Sequence, residues 1–196
     1  MLPLLADVLP AMSHLRSLEY LADVPEPEVM QMIQVIQQCT QLTQLELTTP
    51  PHDQFPLFVP ALASLTNLVE LRLHSEVEGT MLPTFATLHF PHLKLLRIEM
   101  QISEADVSAF VDWLEHHPTL ETLHLAFERL EVFKQVYPAI CKCPALTSLN
   151  VSFSVESDSS FCLPSLPPTL RNLMWRGETG PDFLPKEHCS DELERS

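Results

Sequence analysis

The sequence has very little glycine and few basic side chains. Its 196 residues include three glycines, Gly79, Gly177 and Gly180. None of them stands in a glycine-rich phosphate loop or in the sharp turn that exposes a nucleophilic serine. Eleven Lys and Arg residues face 26 Asp and Glu residues, which gives a formal net charge of −15. Because phosphate groups are bound by dense positive charge, this balance argues against nucleic acid and anionic membranes as partners.

Cysteines and long apolar runs are also scarce. The chain has five cysteines, an odd number that does not fit a small secreted disulfide framework. No run of 18 apolar residues is present, so no membrane-spanning segment is predicted. The first residues are apolar but carry Asp7 and no basic stretch, which is unlike a secretory signal. These features predict a cytoplasmic or nuclear protein.

Leucine is abundant and regularly spaced. It accounts for 34 of the 196 residues, and the pattern apolar-x-x-apolar-x-apolar recurs seven times. Successive hexads are separated by 24 to 27 residues, which is the signature of a repeat architecture. The hexads begin at Leu15, Leu42, Leu68, Leu93, Leu120, Leu146 and Leu170.

The segments between hexads carry helical periodicity in three places. Apolar residues at helical spacing predict helices over residues 26–39, 103–117 and 130–142. Ser103 and Asp106 form a capping-box pattern at the start of the second helix, and Pro138 is expected to bend or interrupt the third. The connectors after the second, third and seventh hexads are shorter or broken by proline, which predicts single turns or loops.

A strand followed by a helical return forms one β/α unit, which buries its apolar faces only by stacking on its neighbours. The pattern therefore predicts an α/β fold over residues 1–176: a right-handed solenoid of about seven repeats with a parallel sheet on its concave side. Residues 177–196 lose the period and gain charge, so a largely disordered acidic tail is predicted. The alternative expectation is that Phe183 and Leu184 in that tail fold back and cover the last repeat.

Residues that alternate with the buried hexad positions are predicted to face outward from the sheet. Charge concentrates in the middle repeats, and arginine is favoured at binding hot spots. The alternative interpretation is a solvated sheet whose charged side chains simply pair across strands. The candidate partner-binding residues are Glu70, Arg72, His74, Arg97, Glu99 and His124.

No arrangement of residues in the sequence predicts catalysis, a cofactor or a metal site. Zinc needs three or four converging ligands, and His74 and His124 are expected to lie two strands apart with an arginine between them. His117 falls in an apolar column of the repeat and is predicted to be a hydrogen-bonded core residue. Cys39 and Cys143 share that column, which predicts small buried residues. No catalytic triad pattern is present, so the chain is predicted not to be an enzyme.

The hexads, together with phrases such as FVDWLEHHPTLETLHL at residues 110–125, resemble leucine-rich repeat proteins, and specifically fungal F-box/leucine-rich-repeat proteins. The resemblance implies a protein-interaction module that recognises substrates of a ubiquitin ligase through its concave face. The chain departs from the family because the usual Asn or Cys three places after each hexad is absent. Only 14 residues precede Leu15, so no F-box is recognised and binding of a Skp-type adaptor is not expected from this chain alone. The alternatives are a structural or regulatory scaffold unrelated to ubiquitin and, from another class, a hydrolase or metal enzyme.

Overall fold

The seven hexads form seven parallel strands. The computed structural model describes residues 14–20, 26–48, 55–74, 82–153 and 166–176. Within these residues the strands make a single sheet in which each strand neighbours the next in sequence, in the order β1 to β7. The strands are β1 Ser17–Tyr20, β2 Gln44–Thr48, β3 Glu70–His74, β4 Leu95–Ile102, β5 Thr122–Phe127, β6 Ser148–Phe153 and β7 Asn172–Arg176.

The register of the sheet follows the repeat. The fourth hexad residue of every repeat pairs with its equivalent in the next, so Leu18 pairs with Leu45 and Leu96 pairs with Leu123. All 15 hexad residues of the five central repeats are buried, whereas the described ones of the first and last repeats are only partly buried. The predicted parallel sheet and the period of about 26 residues are confirmed.

Five helices lie between the described strands. They are α1 Glu26–Gln38, α2 Phe55–Ala63, α3 Leu82–Phe85, α4 Val107–Glu115 and α5 Leu130–Cys141, with a 3-10 turn Glu104–Asp106 leading into α4. The three helices predicted from periodicity are confirmed with small changes at their ends. At the start of the 3-10 turn, the Ser103 backbone N–H and hydroxyl both donate to Asp106 Oδ2, at 3.1 and 2.6 Å.

One prediction about proline is wrong, and one of the two effects expected of a second proline is absent. The connector after the second hexad was expected to be a turn or loop, yet it is the nine-residue helix α2 with Pro60 inside it. Phe55, Phe58 and Leu62 bury one face of that helix, and burial of large apolar side chains at about 1.5–3 kcal/mol each offsets the proline penalty of about 3 kcal/mol. Pro138 likewise lies within α5 without interrupting it.

Backbone hydrogen bonds repeat along the sheet where each strand begins. The Thr43 carbonyl accepts from the N–H groups of both Val69 and Glu70, and the equivalent carbonyls of the other repeats do the same. Side chains just before the hexads add links between repeats: Thr119 Oγ1 donates to the Leu93 carbonyl at 2.7 Å and Asn67 Nδ2 to the Thr40 carbonyl at 3.2 Å. These contacts give backbone carbonyls of one repeat a hydrogen-bond partner on the next.

The sheet has one buried face and one polar face. Helical and hexad side chains share a single apolar core. The other face, which we call the open face, carries the residues between the hexad positions: Ser17, Glu19, Gln44, Glu46, Thr48, Glu70, Arg72, His74, Leu95, Arg97, Glu99, Thr122, His124, Ala126, Ser148, Asn150, Ser152, Asn172, Met174 and Arg176. These side chains are exposed or half-buried. The fold therefore presents a row of strands whose outward side chains are available for contacts.

Two predictions concern residues beyond this description. The acidic tail over residues 177–196, with its alternative capping role for Phe183 and Leu184, lies outside the described residues.

Among the helices of the described ranges, none has the length and apolar character needed to cross a bilayer.

Candidate functional site

The six candidate residues lie together on the open face. Arg72 on β3 is in register with Arg97 on β4, which is in register with His124 on β5. The alternation of side chains along each strand then places the rest of the set beside them. Three of the six lie on β3, two on β4 and one on β5: Glu70, Arg72, His74, Arg97, Glu99 and His124.

Arg72 is held between two carboxylates. Its Nη1 lies 3.0 Å from Glu46 Oε2 and its Nη2 lies 3.1 Å from Glu70 Oε2. Gln44 Nε2 donates to the other Glu70 oxygen at 3.2 Å. Glu46 was not among the predicted site residues, although its register partner is Arg72, and opposite charges at equivalent hexad positions were the signal that could have found it.

His74 bridges two glutamates on different strands. Its Nε2 lies 2.9 Å from Glu46 Oε1 on β2, and its Nδ1 lies 2.5 Å from Glu99 Oε2 on β4. An ionised carboxylate only accepts hydrogen bonds, whereas a neutral imidazole has one N–H donor. Both ring nitrogens of His74 are therefore engaged by carboxylates, one on each neighbouring strand.

A bulge in β4 places Glu99 at this point. Ile98 pairs with Leu125, but the next pair along the two strands is Gln101 with Ala126, so Glu99 and Met100 are extra residues on β4. Bulges redirect side chains next to sites. Here Met100 is buried and Glu99 is exposed. Glu99 also accepts from Arg97, whose Nε lies 2.6 Å from Glu99 Oε1.

The contacts form one continuous chain of ion pairs and hydrogen bonds across β2, β3 and β4. Burial by itself raises the pKa of Glu46, but hydrogen bonds from Arg72 and His74 hold that pKa below its usual value. Burial and the hydrogen bonds from His74 and Arg97 oppose each other in the same way at Glu99, and its pKa is also lowered. Both carboxylates therefore stay ionised. The arrangement can exchange its internal ion pairs for those of a partner.

His124 differs from the other candidates. It makes no hydrogen bond or ion pair with the described part of the chain. Burial lowers its pKa, and the positive charges of Arg97 and Arg72 lower it further. The structure thus brings five of the predicted residues into one ion-pair network and leaves the sixth beside it. The pairing across strands that was expected as the alternative interpretation is present.

Histidine and cysteine elsewhere are used in packing. His117 is 1% exposed; its Nδ1 lies 2.7 Å from the Trp113 carbonyl, and its Nε2 accepts from the Phe90 N–H at 3.0 Å. The prediction of a hydrogen-bonded core histidine is confirmed. Cys39 and Cys143 are buried, as predicted, and burial raises the pKa of both thiols, that of Cys143 to about 11. They are protonated and unreactive at neutral pH.

Metal ligands do not converge within the described ranges, where no group of three or more His, Cys, Asp or Glu side chains is arranged to hold an ion. Two histidine rings do come together on the helical side, where the ring centroids of His89 and His117 lie 5.2 Å apart. Both ring nitrogens of His117 are already engaged, so it has no lone pair to offer a metal.

Comparison with known proteins adds no relative. No protein-family model matches the chain, and no curated protein matches it in sequence.

Proposed function

We propose that this chain is a leucine-rich repeat protein, a right-handed solenoid with a concave sheet, and that the open face binds another protein. The observation that carries the proposal is the concentration of ionised side chains on β2 to β4. Five charged residues and His74 form one network there, on a face that no described helix covers. Repeat architectures use extended sheets of this kind as binding surfaces.

The resemblance to F-box/leucine-rich-repeat proteins supports a narrower proposal, in which the bound protein is a substrate of a ubiquitin ligase. Under this proposal the chain is a recognition part, with no catalysis, cofactor, nucleic acid or membrane involved. A captured partner whose abundance and ubiquitination do not respond to this chain would favour the structural or regulatory scaffold instead.

The ion pairs of the network do not prevent binding. Arg72 and Arg97 have about two fifths of their side-chain surface exposed, at 37% and 39%. Exposed pairs contribute about 0–1 kcal/mol each. A partner carboxylate that replaces Glu70 or Glu99 at an arginine fork therefore displaces only a weak contact, while the fork geometry gives it a two-point hydrogen bond.

The test is charge reversal of both arginines, Arg72→Glu and Arg97→Glu, after a partner has been captured by affinity purification and identified by mass spectrometry. Loss of two hot-spot arginines should weaken binding by at least about 2 kcal/mol, roughly thirtyfold. Because both side chains are exposed in part, folding should survive, which circular dichroism checks.

A matched control uses two cations that also form ion pairs but lie outside the open face. Lys94 pairs with Glu121 at 2.7 Å and Lys142 with Glu115 at 3.0 Å. The double variant Lys94→Glu, Lys142→Glu reverses the same number of charges and should leave the affinity unchanged. Equal losses in the two double variants would indicate a long-range charge effect, and unchanged capture by the arginine variant would place the binding surface elsewhere.

A further inference from the structure

Charge on the open face is unevenly distributed from one end of the sheet to the other. A depression of about 190 Å³ over β1 to β3 is lined by three glutamates and a single arginine. A second depression, of about 80 Å³ over β4 to β7, is lined by Arg97, Ile98, Glu99, His124, Leu125, Asn150, Ser152 and Arg176. We call this second one the basic depression. The two ends of one face thus differ in the sign of the charge they present.

The basic depression contains hydrogen-bond donors that are not used within the described part of the chain. Arg176 is exposed and forms no ion pair with any described residue, and the Asn150 amide makes no hydrogen bond there. His124 is half-buried between them and Arg97. Glu99, the acidic residue that lines the basic depression, already contacts Arg97 and His74. The depression therefore has an excess of positive charge in a chain whose formal net charge is −15.

We propose that the basic depression binds the carboxylate of an acidic residue in an extended segment of the partner protein. This inference rests on the proposed function and specifies its partner chemistry. A planar guanidinium matches a carboxylate at two points. Arg176, which forms no ion pair within the described ranges, can offer one from β7, while His124 and Asn150 can donate from the strands beside it. Because the depression is small, it accommodates a single acid group.

The opposite end of the face gives the bound segment a direction. Glu19, Glu46 and Glu70 line the depression over β1 to β3, and like charges placed together disfavour binding. The acidic residue that the basic depression binds accordingly lies toward β7, while the depression over β1 to β3 leaves only the Arg72 fork to a carboxylate. The same repulsion acts against a nucleic acid, which would present phosphates along the whole face.

The test uses three ten-residue peptides of glycine and serine with blocked ends. The two central residues are glutamate in the first peptide, glutamine in the second and phosphoserine in the third. NMR follows the side-chain resonances of His124 and Asn150 in the whole protein during titration with each peptide. The glutamate peptide should shift these resonances and the glutamine peptide should not. Burial lowers the pKa of His124, and the positive charges of Arg97, Arg72 and Arg176 lower it further. A nearby carboxylate favours the imidazolium, so this pKa should rise when the peptide binds.

Arg176→Glu is the informative variant and Arg171→Glu its matched control. Both arginines are exposed in the last repeat, but only Arg176 lines the basic depression. Reversing Arg176 should weaken binding of the glutamate peptide about tenfold. The substitution removes one exposed attraction and adds one repulsion, and each of these changes the affinity by roughly a factor of several. The control should change affinity less than about twofold.

Three results would overturn the inference: equal effects of the two variants, peptide shifts confined to other surfaces, or binding by the phosphoserine peptide alone. Its failure is separable from that of the proposed function. If the peptides do not bind but the Arg72→Glu, Arg97→Glu variant loses its captured partner, the open face still binds protein by other contacts. If the glutamate peptide binds at His124 while that variant keeps its partner, the proposed function and its partner chemistry both fail for that partner, because Arg97 lines the basic depression as well.

Discussion

The buried His117 should make the protein sensitive to mild acid. Burial lowers the pKa of this side chain from 6.5 to about 4. The ring is neutral because Nε2 accepts from the Phe90 N–H while Nδ1–H donates to the Trp113 carbonyl, and a proton on Nε2 would face that N–H directly. The ring also stacks on Trp113, with centroids 3.7 Å apart, so it has no room to turn away.

The size and the direction of the effect follow from the two pKa values. Below pH 6.5 the unfolded chain binds a proton at this histidine and the folded chain does not, so the free energy of unfolding falls as the pH falls. With a folded pKa of about 4, the loss between pH 7 and pH 5 is about 2 kcal/mol and approaches about 3 kcal/mol near pH 4.

Urea unfolding followed by circular dichroism at pH 7 and pH 5 measures this loss. His117→Gln removes the titrating group. Between pH 7 and pH 5, the free energy of unfolding of this variant should therefore fall by about 2 kcal/mol less than that of the wild type. The control is His92→Gln, which replaces an exposed histidine that is not among the causes of the His117 shift; the loss of stability that His117 produces should remain in this variant. If His117→Gln fails to fold, an NMR titration of the wild-type ring replaces it. Equal slopes, or a ring that titrates above pH 6, would refute the reasoning.

Three further predictions test the sheet and the network. Leu123→Ala should cost about 2–5 kcal/mol of unfolding free energy because Leu123 is fully buried, whereas Thr122→Ala on the open face should cost under about 0.5 kcal/mol; equal urea midpoints would show that the register is wrong. Amide exchange should be faster at Leu18 in β1, where hexad residues are only partly buried, than at Leu123, and equal protection would contradict this. The lowered pKa values of Glu46 and Glu99 stabilise the fold above pH 4.5, and that contribution is lost as the pH falls further. Glu46→Gln should therefore flatten the acid limb of the stability profile, and an unchanged limb would mean that the ion pairs add nothing.

Much of the fold could be predicted because its signals are local. Alternation of side chains along a strand and the spacing of apolar residues along a helix both depend only on backbone geometry. Leucines about 26 residues apart therefore predicted the strands, their parallel order and their register, and the apolar column around His117 predicted that it is buried. Five of the six candidate residues were placed in one network by the same alternation.

The remainder depended on contacts between distant segments. Helix α2 forms in spite of Pro60 because neighbouring repeats bury Phe55 and Phe58, and a local propensity rule does not include that burial. Glu46 entered the site because it lies beside both Arg72 and His74, 26 and 28 residues away along the chain. The bulge that points Glu99 at His74 interrupts the pairing of β4 with β5. Which residues repeat can be read along the chain, whereas which charged side chains meet depends on how one repeat packs on the next.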